Sequence, residues 1–337
     1  MKVLLISNMG PHIGNPSLGR FVINQYEELK QYDGQVALFL MPKLAYCFNS
    51  SLIRYIIFAV KYFVFIFKSL FKKRFDIVHV HFFYPTIFLA IFYKLFINKN
   101  VKVIATFHGN DVYSYNPKAF LYRKAMSYVD HAIYVSNRLM HRHHDFTNFK
   151  SVLAAGIKND FKVIEGVEKK YDFIFVGNLE LVKGADRLLS VVNNYPNYRF
   201  AVVGSGSFAS ELQKQNYENV SYFPVLDAKA LAFLMNESKC LLNLSRNESF
   251  GLVITEALSC GICVIATKTD GAIEQLENVD CGCLLEQNYS NLEIHMLYES
   301  NIEPNIASEN TLQLSNMYRL ENICKKIHNI YIAVLNK

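Results

Sequence analysis

The sequence predicts an α/β protein: two βαβ domains, each built on a parallel sheet, followed by a long C-terminal helix. Short apolar runs alternate with helix-periodic stretches along the whole chain. Strands buried on both faces of a parallel sheet read as such runs. The alternation pauses once, where residues 151–170 pass from an apolar strand end through Gly156 into a charged stretch, and then it restarts. A length of 337 residues with 51% hydrophobic content supplies two cores. The expected domains are therefore 1–165 and 166–337, the second carrying the terminal helix.

Residues 3–6 form the first strand, too short an apolar run for a signal peptide. A loop with Gly10 and Gly14 follows, then a helix marked by Phe21, Val22, Tyr26 and Leu29. Residues 36–40, 77–80, 101–105 and 132–135 are the next strands. In such sheets ligands gather at the strand C-terminal ends. His81, His108 (followed by Gly109) and Ser136 stand there and are candidates on that ground. His141, His143 and His144 cluster with Arg142, but no carboxylate pattern accompanies them, and they read as a solvated helix end. The second half opens with residues 171–176, a strand ending at Gly177. Lys183-Gly184 precede a helix with Leu188 and Leu189, and residues 200–203 enter the turn Gly204-Ser205-Gly206. Strands at 220–225, 240–244 and 261–266 follow, and from Glu309 the tail reads as one amphipathic helix.

The stretch Ser245-Arg246-Asn247-Glu248-Ser249-Phe250-Gly251-Leu252-Val253-Ile254-Thr255-Glu256 is the chemical centre of the second half. It lies between a buried strand and a helix, so it forms a strand-to-helix turn with Glu248 or Ser249 at the N-cap. Free amides and the positive helix end make such a turn an anion site. Glu248 at the mouth and Glu256 two turns down would flank a bound phosphate. That arrangement frames a nucleotide-sugar: one carboxylate for sugar hydroxyls, one for ribose, amides for the diphosphate. An ordinary capped helix with one solvated Glu has the same spacing.

Residues 52–75 are crowded with Phe, Ile, Tyr and Val, and carry Arg54, Lys61, Lys68, Lys72, Lys73 and Arg74 with no acid. The segment alone equals the net charge of the chain, +6. Arg54, Lys61, Lys68 and Lys72 share one helical stripe. No run approaches the ~20 uncharged residues of a membrane span. An amphipathic helix lying on an anionic membrane surface is expected; the alternative is a partly buried helix with snorkelling lysines. Seven cysteines without framework spacing indicate a reducing compartment, and Cys260-x-x-Cys263 lies in apolar surroundings rather than in a zinc pattern. No basic patch interleaved with exposed aromatics points to nucleic acid.

Taken together, several motifs resemble the GT4 family of retaining glycosyltransferases. Glu248 to Glu256, with Phe250-Gly251-Leu252 inside, resembles that family's E-x7-E motif. The continuation Glu256-Ala257-Leu258-Ser259-Cys260-Gly261 through Thr267 resembles the segment that follows it. Phe175-Val176-Gly177-Asn178-Leu179 with Lys183-Gly184 resembles the family's phosphate loop. Residues 76–81, 106–111 and Val135-Ser136 resemble its N-domain motifs. The resemblance implies a GT-B fold: two Rossmann-like βαβ domains facing across a cleft, acceptor side first and donor side second. It implies Glu248 and His108 as catalytic contacts to the sugar. On the donor side it implies Lys183, Asn178 and Gly177 near the diphosphate, Gly204 near the base, the Phe250-Gly251-Leu252 turn at the phosphates and Glu256 at the ribose. Gly14 or Gly19 is the expected first-loop glycine at the phosphates, and His81 and Ser136 are expected on the acceptor side. Asn178 replaces the family's usual Arg, and Arg246 is a candidate substitute.

The expected activity is transfer, with retention, of a sugar from a nucleotide-sugar to a glycan or lipid-linked acceptor in surface polysaccharide assembly (capsule or lipopolysaccharide). UDP is the default donor nucleotide. Neither metal nor cofactor is expected, since the chain has no Asp-x-Asp. The expected place is the cytoplasmic face of the membrane, held peripherally through Arg54, Lys61, Lys68, Lys72 and Lys73. An epimerase or phosphorylase on the same fold, or a membrane-bound module that holds a nucleotide-sugar without turnover, are the competing readings.

Overall fold

The computed structural model describes residues 1–32, 34–69, 74–114, 119–143, 149–277, 279–301 and 309–337. The chain divides into two compact units, residues 1–156 with 320–337, and residues 157–319.

The first unit runs β1 (Val3–Ser7), α1 (Arg20–Tyr32), β2 (Val36–Leu40), α2 (Ser51–Ser69), β3 (Ile77–His81), α3 (Phe83–Phe96), β4 (Lys102–Phe107), α4 (Asn110–Tyr113), α5 (Phe120–Met126), β5 (His131–Tyr134), α6 (Asn137–Arg142) and β6 (Lys150–Val152). Its strands are all parallel in the order β2-β1-β3-β4-β5-β6. β1 and β3 are buried at every position, which is why they read as unbroken apolar runs.

The second unit repeats the plan with β7 (Tyr171–Val176), α7 (Ala185–Asn194), β8 (Phe200–Val203), α8 (Ala209–Gln215), β9 (Val220–Phe223), α9 (Ala228–Asn236), β10 (Ser238–Asn243), α10 (Leu252–Ser259), β11 (Cys263–Thr267), α11 (Asp270–Leu276), β12 (Gly282–Leu285), α12 (Asn291–Asn301) and α13 (Glu309–Asn316). Its order is β12-β11-β10-β7-β8-β9, again all parallel. β7 is central, so the loops after β7, β8 and β10 leave the sheet side by side.

The tail departs from the expectation of one helix on the second domain. It is two helices, and the second, α14 (Leu320–Leu335), belongs to the first unit. The break at residues 317–319 is tied into the second unit. Arg319 donates to the carbonyls of Lys158 and Phe161, at 3.3 and 2.6 Å, and bridges Ile157. α14 then packs on α1. It buries Leu320, Ile323, Ile327 and Tyr331 with Val3, Leu29, Ile77 and Ile104. An amphipathic pattern announces an apolar stripe but not which sheet it will cover. The boundary accordingly falls at 156/157 rather than 165/166.

His143 also differs from expectation. It is buried, not solvated, with its ring nitrogens hydrogen-bonded to the hydroxyls of Tyr122 (2.9 Å) and Tyr134 (2.6 Å). His144, like Lys72 and Lys73, lies outside the described residues. Among the described residues no helix is long and apolar enough to cross a membrane.

Replacing Ile327 by Ala opens a cavity beneath α14. It should cost the first unit about 2–5 kcal/mol, read as a lower urea midpoint with an unchanged slope.

Candidate functional site

The second unit gathers most of the expected residues by pressing backbone against backbone. β7 ends at Gly177. Gly204, at φ 149°, lies so close that a Cβ there would stand 1.8 Å from the Gly177 carbonyl oxygen. Gly206 meets Leu179 in the same way, with a Cβ position 2.5 Å from its carbonyl oxygen. The chain after Gly177 exposes Asn178 and turns through a short 3₁₀ segment, Leu181–Lys183. Gly184 then enters α7 in the left-handed region, φ 78°, with its Cβ position 2.1 Å from the carbonyl oxygen of Leu244. Only glycine fits there, and the contact sets Lys183 against the loop that follows β10. There Lys183 Nζ forms an ion pair with Glu248 Oε2. Both side chains are partly shielded, at 29% and 14% exposure.

Around Glu248 the chain differs from expectation in one respect. Neither Glu248 nor Ser249 caps α10. The N-cap is Gly251, at φ 81°, and it makes no side-chain capping bond. Glu248 lies three residues before that N-cap, and its Oε2 is held by Lys183. The first turn of α10 therefore keeps its positive end without a side-chain cap. Phe250 is buried, with its ring near that of Tyr318 at 5.2 Å. Glu256 sits half-buried one turn into α10, and burial lifts its carboxyl to about 7.

Two further residues shape this loop. Gly271, at the start of α11, lies under Phe250, with a Cβ position 2.2 Å from the Phe250 carbonyl oxygen, and its amide donates to Glu248 O at 2.9 Å. Gln275, also buried, donates to the carbonyls of Phe250 and Gly251 and accepts from Thr255 Oγ1 at 2.5 Å. Neither Gly271 nor Gln275 was singled out from the sequence. Arg246, the candidate substitute for the missing arginine, is held elsewhere. It makes a bidentate pair with Asp186, both bonds 2.7 Å, and donates to Leu181 O at 2.6 Å.

The first unit brings a second group together. β3 ends at His81, and the adjacent β4 leads to His108. Their rings stack at 5.4 Å, with His81 Nδ1 3.2 Å from His108 Nε2. The His108 turn is clamped by Asp111, whose carboxylate accepts from the amides of His108 (3.0 Å), Gly109 (2.9 Å) and Phe83 (3.1 Å). Burial nonetheless raises Asp111 to about 6, the amide bonds offsetting part of that cost. Ser136 is fully buried as the N-cap of α6 and accepts from the Leu139 amide at 3.2 Å. In the first loop, Gly19 adopts φ 72° with its Cβ position 3.2 Å from the Met9 carbonyl. Gly14 donates its amide to His12 Nδ1 at 3.2 Å.

Comparison with known proteins gives the family and the fold. The family "Glycosyl transferases group 1" matches residues 156–310, and "Glycosyltransferase Family 4" matches residues 24–155. A 41.2 kDa protein in the cps region of Klebsiella pneumoniae is 29% identical over 82% of this chain and 85% of its own length. N-acetyl-alpha-D-glucosaminyl L-malate synthase of Bacillus anthracis is 26% identical over 78% of this chain and 76% of its own. Among solved structures, sucrose-phosphate synthase from Thermosynechococcus elongatus superimposes with a TM-score of 0.82 at 14% identity, covering 100% of both chains. Anabaena HepE in complex with UDP-glucose superimposes with a TM-score of 0.72 at 17% identity, covering 99% of this chain and 100% of its own. These likenesses show the two-Rossmann GT-B fold.

Gly271→Ala should drive the Phe250 carbonyl away and cost about 1–3 kcal/mol or more. Gly34→Ala, with nothing within 4 Å, should be near neutral. Thermal unfolding of both variants checks the contrast.

Proposed function

We propose a donor and an acceptor for a chain that belongs to the group 1, family 4 glycosyltransferases. Such an enzyme moves a sugar from a nucleotide-sugar with retention at the anomeric carbon. Our reading is that the donor is a UDP-sugar and the acceptor a glycan or lipid-linked intermediate of surface polysaccharide assembly. The UDP-glucose held by HepE supports the first, and the cps-region relative supports the second.

The observation that carries the reading is the Lys183–Glu248 pair beside the α10 N-terminus. A diphosphate at that helix end would draw Lys183 to itself and release Glu248 to the sugar. Lys183 and the helix end then stabilise the charge that grows on the leaving oxygen. The bond from the anomeric carbon to the phosphate oxygen breaks, and the bond to the acceptor oxygen forms on the same face. The acceptor proton passes to the departing phosphate, and Glu248 offsets the positive charge at the anomeric centre. Glu256, as a carboxylate, accepts from the ribose hydroxyls. From the first unit the reading gives His108 a hydrogen bond to substrate.

The sign of the pH effect follows. Glu256 is protonated below about 7 and charged above it, and only the charged form accepts from both hydroxyls. In calorimetry, UDP should bind more tightly as pH rises from 6 to 8, and Glu256→Gln should flatten that slope. Lys183→Ala should weaken UDP at least tenfold, while Glu248→Ala should bind UDP and lose transfer. Undiminished turnover in Glu248→Ala would refute the assignment.

Peripheral attachment to the cytoplasmic face of the membrane belongs to the same reading. α2 buries Phe58, Tyr62 and Ile66, and turns Ile56, Val60, Phe63, Val64 and Phe67 outward, Phe67 at 65% exposure. Arg54, Lys61 and Lys68 run beside that ridge at seven-residue spacing, so the apolar strip has a basic border and no acid. Such a face fits an anionic bilayer. Vesicles of 30% phosphatidylglycerol should sediment the protein at low salt, and pure phosphatidylcholine should not. Lys61→Glu with Lys68→Glu should cut binding tenfold or more, at about 1 kcal/mol per lysine. Concentration-dependent dimerisation without vesicle binding would instead assign the ridge to a second copy.

A further inference from the structure

The three histidines at the β3–β4 edge form one stack, with His79 and His81 buried and His108 half-buried. His79 is fully buried and bonded at both ring nitrogens, to Tyr331 Oη and to Thr106 Oγ1, each at 2.7 Å. It stacks on His81 at 4.5 Å, and His81 stacks on His108. Phe82 is held at φ 63°, a strained conformation for a bulky residue. Its ring lies 4.5 Å from that of His108, and the Phe21 ring lies 4.9 Å away. The ring of His108 is thus fixed on three sides.

His81 is 1% exposed, and its Nε2 is buried with no hydrogen-bond partner among the described residues. Burial pushes its pKa down to about 3, so the ring is neutral and carries one proton. On Nε2 that proton would be a buried N–H with no acceptor among the described residues, which leaves its desolvation uncompensated. On Nδ1 it points at His108 Nε2, 3.2 Å away. An unused lone pair is the cheaper residue to leave in the sealed position.

We propose that His81 is a positioning residue: it donates from Nδ1 to His108 Nε2 and so locks His108 as the tautomer protonated on Nδ1. His108 then meets substrate as a hydrogen-bond donor through Nδ1, and its Nε2 is closed to general-base work. The substrate part rests on the glycosyltransferase reading of His108; the tautomer does not. Among the described residues, the titratable groups around the contact include His79 and His81 of β3, His131 of β5, Tyr331 of α14 and Asp111 of α4. The Asp111 carboxylate is taken up by amides of the His108 turn.

The test needs no ligand. Ligand-free protein labelled with ¹⁵N-histidine is studied by long-range ¹H–¹⁵N correlation at pH 7.5. His108 is assigned by the signals missing from His108→Gln. The expected result is a protonated-type shift at Nδ1 of His108 and an unprotonated-type shift at Nε2. His81→Asn, which keeps an N–H donor at the same place, should leave that pattern intact. His81→Asp, which offers only an acceptor, should move the His108 proton to Nε2 or render the ring cationic. Nε2-protonated His108 in the native protein overturns the proposal, as does an unchanged pattern in a folded His81→Asp. If His81→Asp does not fold, the native spectrum decides alone. A failure of sugar transfer would count against the enzyme reading and leave this result standing.

Discussion

Close contact of backbone with backbone is the constraint on which the donor half of this molecule depends. A parallel sheet delivers every strand to the same edge, so the loops after β7, β8, β10 and β11 compete for one small volume. They share it only because glycine stands at each crossing: Gly204 on Gly177, Gly184 on Leu244, Gly271 on Phe250. The chemistry follows from that crowding. Lys183 and Glu248 are 65 residues apart in the chain, yet they pair because Gly184 lets one loop lie on the end of the strand that precedes the other. The groups that bear charge are carried by a framework that has almost no side chains at its points of contact.

Electrostatics complete the arrangement. In the ligand-free chain the cation of one loop neutralises the carboxylate of the next, so neither is left as an isolated charge at a partly dry edge. An incoming diphosphate exchanges one anion for another at Lys183 rather than filling an unpaired site. Glu256 pairs with no cation among the described residues, and burial raises its carboxyl.

Much of this was legible in the chain. The parallel sheets announced themselves, since strands buried on both faces leave apolar runs that no amphipathic alternation interrupts. Glu248 and His108 stood out because each follows a strand exit, where chemistry-bearing residues have no packing reason to be, and Lys183 and Glu256 because of the family motifs they complete. Contacts between distant segments were not legible. Nothing in the order of residues says that Gln275 supports the Phe250 carbonyl, that Asp111 gathers three amides, or that Arg246 is already committed to Asp186. The N-cap was misplaced for the same reason: a glutamate beside a helix start looks like a cap until its cation partner is known. The terminal helix shows the limit most plainly, since its periodicity is equally consistent with either sheet.

That terminal helix has a consequence for how the protein comes into being. The second unit is a continuous stretch of chain and has all its parts once Arg319 has been made. The first unit does not: Val3 and Ile77 of its sheet and Leu29 of α1 wait uncovered until residues 320–337 emerge and lay α14 across them. During synthesis the older half of the polypeptide is therefore the later to mature, and for most of translation it presents an open apolar face. An apolar face of that kind is prone to aggregate for as long as it stays open.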